Sequence, residues 1–188
     1  MKTNVNCDSL SLYSREALPP EIVSTLLSPR REQWGRHQSM LARSQIFFDY
    51  HRLLSEESQR LTQELISLLD YGNLFFVNEQ TCLNLDQNLK NLLHHTHHHH
   101  NIEDQLYFPR LKRQFPQIKR GIDLLDNDHK ELLLLLDRIE SFDLTRLKPS
   151  NRYEQLARLH AEVSQLAAVF PRHFHDEEDL IIPALGKL

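Results

Sequence analysis

The chain has 188 residues, 40% of them hydrophobic, with a formal net charge of -4, a pI near 6.3 and only two cysteines. That length suits one domain with a core large enough to fold alone. The charge provides no basic field for nucleic acid, and two thiols outside any C-x-x-C spacing give neither a disulfide framework nor a thiolate metal site. The start lacks the order of a signal peptide, and no apolar run approaches the roughly 20 residues needed to span a bilayer, so a cytoplasmic protein without membrane contact is expected.

Residues 1–33 are polar, with Pro19, Pro20 and Pro29 bracketing a short apolar piece from Ile22 to Leu27. They read as an arm with one small helix laid across the remainder, disordered before about Leu10. Residues 34–188 read as one helical domain. Its first helix is expected from Gln33 to Asp70, stopped by Tyr71, Gly72 and Asn73. Phe47, His51, Leu54, Ser58, Leu61, Leu65 and Leu68 form its inward seam, whereas His37 lies roughly 21 Å of helix rise from His51 and is too distant to share a cluster.

After an apolar connector, Leu74 to Val77, a second helix is expected from Asn78 to Gln114. It contains HHTHHHHNIEDQLYFP, six histidines in seven residues followed by Glu103 and Asp104. The run is internal and interrupted, so it is not a terminal tag. Leu85, Leu89, Leu92, Thr96, His99, Glu103 and Leu106 succeed one another at steps of four and three, the seam of a packed helix. This register turns His99 and Glu103 inward one turn apart. It sends His94, His97 and His100 outward and leaves His95 and His98 flanking, available as ligands if the helix is rotated. Pro109 deprives the Gln105 carbonyl of its partner and predicts a kink.

The basic stretch from Leu111 to Arg120 reads as a solvated helix end and turn. A third helix, Gln117 to Phe142, has the seam Ile122, Leu125, His129, Leu132, Leu136 and Ile139, and its five leucines from Leu132 to Leu136 read as core on two faces. A turn from Asp143 to Ser150 precedes the fourth helix, Asn151 to Lys187. Its seam is Leu159, Val163, Leu166, Phe170, His173, Glu177, Leu180 and Ala184, with Pro171 expected to bend it and His160 read as a surface residue.

Placing Pro109 over Pro183 aligns NIEDQLYFPRL with HDEEDLIIPAL, and puts His99 on His173 and Glu103 on Glu177. The chain therefore reads as two copies of one plan, a helix with a lone His followed by a helix with H-x-x-x-E. The inward set is His51, His99, Glu103, His129, His173 and Glu177. Imidazoles and carboxylates buried together must be hydrogen-bonded or bind a cation. Two carboxylates can each bridge a pair of cations roughly 3.5 to 4 Å apart. Of about twelve positions around two octahedral ions, four histidines, two bridging glutamates and an oxygen bridge fill about ten, leaving about two open. N and O donors do not choose among iron, manganese and zinc. Asp104 and Asp128 are placed to orient imidazoles as outer acceptors.

Single His, H-x-x-x-E with a Phe-Pro pair, single His and a second H-x-x-x-E ending near Ile-Pro resemble the hemerythrin-like, or HHE cation-binding, superfamily over about residues 36–187. The resemblance implies an all-α, up-down-up-down four-helix bundle with an oxygen-bridged di-iron centre. It also implies a function in binding or reacting with dioxygen, nitric oxide or peroxide, or in holding labile iron. Oxygen-carrying members have a fifth histidine one turn beyond that of the third helix and a terminal aspartate ligand. Here Leu133 and a second H-x-x-x-E stand at those places, which points away from reversible oxygen carriage. The pattern is closer to the di-iron domain of iron-sulfur cluster repair proteins, whose cysteine-containing N-terminal domain Cys7 does not replace. An enzyme and a binding protein differ by whether the open positions turn over. The alternative class is a metal-responsive sensor or adaptor with residues 1–33 as its movable arm; oligomeric state is left open.

Overall fold

The computed structural model describes residues 10–70 and 77–188. Among them there is no strand, and the chain is all-helical: α1 (Pro20–Val23), α2 (Gln38–Leu69), α3 (Glu79–Ile102), α4 (Phe108–Gln114), α5 (Lys119–Glu140) and α6 (Arg152–Leu185). A 3-10 turn, Arg31–Arg36, occupies the expected start of the first long helix, so α2 begins at Gln38. The expected disorder before Leu10, the stop at Tyr71 to Asn73 and most of the Leu74 to Val77 connector lie outside the described residues. Asn78 starts α3 by accepting the Thr81 N–H on its side-chain oxygen at 2.9 Å, which satisfies one of the helix's unpaired donors.

Two compact units divide the described chain. The first comprises residues up to His51, His100–Glu131 and Pro171–Leu188. Its apolar cluster joins Leu18, Ile22 and Trp34 of the N-terminal segment to Met40, Phe47, Phe108, Leu125 and Ile181. The arm is thus part of a core: Trp34 is buried and its indole N–H donates to the Pro29 carbonyl at 3.1 Å. Gly121 packs where a Cβ would press on the Leu180 side chain, so α5 and α6 approach closely there within this unit. The second unit, Arg52–His99 and Leu132–Phe170, buries Leu54, Leu61, Leu65, Leu85, Leu89, Leu92, Leu136, Leu159, Val163 and Leu166. Cys82 is a buried thiol there.

Every residue of the α6 seam from Leu159 to Ala184 is fully buried, and α6 runs through Pro171 and Pro183 without a break. The α5 seam is buried throughout, but Leu133 and Leu134 are exposed, so the leucine run is core on one broad face only. The second long helix departs most. Between α3 and α4 the chain winds as a π-helix, Glu103–Tyr107, in which the Phe108 N–H donates to the Glu103 carbonyl. Pro109 explains the position: it has no N–H to continue the α pattern and its ring crowds the preceding turn. The extra residue rotates the helix beyond it, so the inward step after Glu103 is five residues. Leu106, expected inward, is 57% exposed, and Phe108, 1% exposed, takes its place.

This register makes opposite forecasts for two neighbouring truncations. Phe108→Ala is expected to cost about 3–5 kcal/mol in chemical denaturation, and Leu106→Ala to stay within about 0.5 kcal/mol. Equal losses would contradict the inserted residue.

Candidate metal centre

Five helical positions deliver the polar groups inward. His51 lies on α2, His129 on α5, His173 and Glu177 one turn apart on α6, and Glu103 at the first residue of the π-helix; all five are buried. Their donor atoms, with those of two adjacent residues of α3, form two metal-capable groups: His51, His99, Glu103 and Glu177, and His100, His129 and His173. His99 is the last residue of the second unit, one residue before His100 in an uninterrupted helix. Within each group the ligand atoms lie within 4.8 Å of one another.

The carboxylates of the first group also approach imidazoles of the second. Glu177 Oε2 is 3.5 Å from His51 Nε2 and 3.6 Å from His173 Nε2, while Glu103 Oε2 is 3.6 Å from His129 Nε2. These distances leave room for an ion between the paired atoms at metal–ligand distances of about 2.0–2.2 Å. The Nε2 atoms of His129 and His173 are buried with no hydrogen-bond partner among the described residues. Leaving such atoms bare costs about 1–3 kcal/mol each, and a cation removes that cost, so the donor set fits a metal.

The opposite edge of three imidazoles is held by acid groups. His129 Nδ1 lies 2.7 Å from Asp104, His51 Nδ1 3.0 Å from Glu178 and His173 Nδ1 3.4 Å from Asp128. An Nδ1–H donated to a carboxylate leaves the Nε2 lone pair facing the cluster. Asp104 and Asp128 were expected in this role from the sequence; Glu178 was not. The π-helix gives His129 both neighbours, Glu103 beside Nε2 and Asp104 beside Nδ1. Aromatic rings seal the rim: Phe174 stacks on His51 with centroids 4.3 Å apart, and Phe108 on His129 at 5.2 Å.

His100 corrects the sequence reading. The seam sends it outward, yet it is 7% exposed and stacks on His129 at 4.1 Å. The signal was present in the spacing, because His100 lies seven residues after Leu93 and four after Thr96, and both are buried. A one-residue-wide seam hid it. Of the other histidines in the run, His94 and His98 are exposed, His97 is half-buried, and His95 lies 2.9 Å from Glu57 within the second unit. His37 is exposed and His160 half-buried, 3.2 Å from the Ser164 hydroxyl.

Burial pushes the Glu103 carboxyl well above the usual range, and the nearby Glu177 carboxylate pushes it the same way. Burial lowers His51, but Glu177 and Glu178 together outweigh it and bring its pKa to about 9. His173, deeper and beside His129, is lowered by burial despite Asp128. His51 therefore stands between two carboxylates that favour its charged form.

A cluster of imidazoles and shared buried carboxylates defines a cation-binding site of the helical, nitrogen-and-oxygen type. The hemerythrin HHE cation binding domain model matches residues 43–185, so the chain belongs to that family. Neither the curated proteins nor the solved structures contain a match. No described helix is long and apolar enough to cross a membrane.

Cation and proton compete for His51 Nε2. Because His51 is raised to about 9, affinity for a divalent ion should climb about tenfold per pH unit, or more steeply, up to that pH and fall as pH drops below it. Cobalt(II) titrations between pH 6 and 9.5 check this. A plateau above about 6.5, the ordinary imidazole value, would contradict the assigned environment of His51.

Proposed function

We propose that this protein is a non-haem two-metal protein of the di-iron kind, built on an up-down-up-down four-helix bundle, that binds or reacts with a small species such as dioxygen, nitric oxide or peroxide. The observation that carries the reading is the sharing of Glu103 and Glu177 between the two groups of imidazoles. Carboxylates so placed suit a pair of ions.

His100 changes the coordination arithmetic. Three imidazoles face one position and two face the other. With two bridging carboxylates and one oxygen bridge, five imidazoles leave about one of twelve octahedral positions open. An ion held by His51 and His99 would be the one with a free position. Paired iron there would supply electrons and an open coordination position. The chain's own residues do the rest: Phe174 and Phe108 keep water from the imidazole faces, Asp104, Asp128 and Glu178 fix the tautomers, and Glu103 and Glu177 hold the spacing. Thiolates are absent from the set, which disfavours soft metals; iron is the ion proposed here, with manganese or zinc compatible with the donors.

Metal analysis of tag-free protein loaded anaerobically with iron(II) tests the proposal. Two ions per chain are expected. His99→Ala, His100→Ala and His173→Ala should each reduce that number, Glu177→Ala should leave at most one, and His94→Ala with His98→Ala should change nothing. Retention of two ions in Glu177→Ala would refute the bridging role.

Exposure of the loaded protein to nitric oxide, dioxygen or peroxide should alter its visible absorption. Steady-state consumption of peroxide or oxygen would make it an enzyme, and a single stoichiometric event a binding protein. An unchanged spectrum with all three would overturn the assigned reactivity.

A further inference from the structure

The N-terminal segment reaches the outer edge of both imidazole groups by the same device. Arg15, 6% exposed, donates from Nε to Asp176 at 2.9 Å and from its two terminal nitrogens to Asp128 at 3.0 and 2.5 Å. Asp128 is the carboxylate beside His173 Nδ1. Arg31 donates to Glu178 at 2.9 Å and to Asp179 at 2.7 Å. Glu178 is the carboxylate beside His51 Nδ1. Two arginines, sixteen positions apart, thus each grip the acid that grips an imidazole, one imidazole in each group.

Both guanidiniums are themselves fixed. Arg15 also donates to the Leu10 carbonyl at 2.7 Å, and the Ser11 hydroxyl and Leu12 N–H both donate to Glu131, at 2.8 and 3.2 Å. Arg172 reaches from α6 to the Glu16 carbonyl at 2.6 Å and also bonds Asp176. Arg31 lies over the Trp34 ring at 4.5 Å and donates to the His175 carbonyl at 2.9 Å. A planar fork held in this way fixes the rotamer of its carboxylate. The carboxylate then fixes the ring that it accepts from.

We propose that residues 10–36 are an outer clamp on the metal centre, with Arg15 and Arg31 as positioning residues acting on His173 through Asp128 and on His51 through Glu178. The inference rests on the reading that His173 and His51 hold cations. Its consequence is reciprocal: if the docked arm favours the loaded site, the loaded site favours the docked arm by the same factor. The arm is then the part of the chain through which a bound partner could alter metal retention.

The test uses full-length protein loaded with cobalt(II), with loss of the metal to excess EDTA followed by its visible spectrum. Arg15→Ala and Arg31→Ala are each expected to speed loss about 10-fold, near the lower end of effects seen when carboxylates behind metal-bound histidines are removed, and to shift the cobalt bands. Arg15→Lys, which keeps the charge but not the fork, should fall between. Arg138→Ala serves as a control: its bonds to Glu162 and to the Leu134 carbonyl belong to neither the arm nor a relay, and it should behave as the parent.

Folded variants with the parent's loss rate and spectrum would overturn the clamp. If a variant does not fold, the unmutated protein still decides: cobalt should slow trypsin cleavage at Arg30, Arg31 and Arg36 relative to cleavage at Arg60 in the second unit, and equal slowing would overturn it. A parent protein that retains no cobalt would instead refute the metal reading itself.

Discussion

Two carboxylates, Glu103 and Glu177, are buried side by side at 1% and 0% exposure, with four imidazoles of the first unit around them. The rest of that unit is shaped by the difficulty of that arrangement. Two unscreened negative charges in a dry interior repel each other and lose their hydration, which burial alone makes expensive. A proton on Glu103 and a second on His51 relieve the charge in one way, and divalent cations relieve it in another. The Nε2 atoms of His129 and His173, buried with no hydrogen-bond partner among the described residues, are satisfied by the second solution.

Around that constraint the acids divide into two roles by position. Glu103 and Glu177 face the Nε2 edges, and Asp104, Asp128 and Glu178 face the Nδ1 edges. Consecutive acids serve opposite edges of one ring twice, Glu103 and Asp104 on His129 from the π-helix and Glu177 and Glu178 on His51 from α6. Asp128 and Asp176 are also buried, and Arg15 and Arg172 supply the opposite charge they require.

Much of this was legible in the residues. Steps of four and three fixed the inward faces of α2, α5 and α6 because a regular helix repeats its geometry, and His51, His129, His173 and Glu177 fell on those faces. The repeated H-x-x-x-E exposed the duplicated plan. The reading failed where the helix stopped being regular: Leu106 was carried inward by a period that the π-helix interrupts. It also failed at His100, since a seam one residue wide ignores the breadth of a buried face. Arg15 and Arg31 were invisible because their partners are more than one hundred residues away, and no local period encodes such pairing.

Anomalous scattering at the iron edge from crystals of the iron-loaded protein tests the central claim most directly. The account predicts two peaks about 3.5–4 Å apart, one at His100, His129 and His173 and one at His51 and His99, with Glu103 and Glu177 touching both. A single peak among these residues, or peaks only at the exposed His94 and His98, would contradict it.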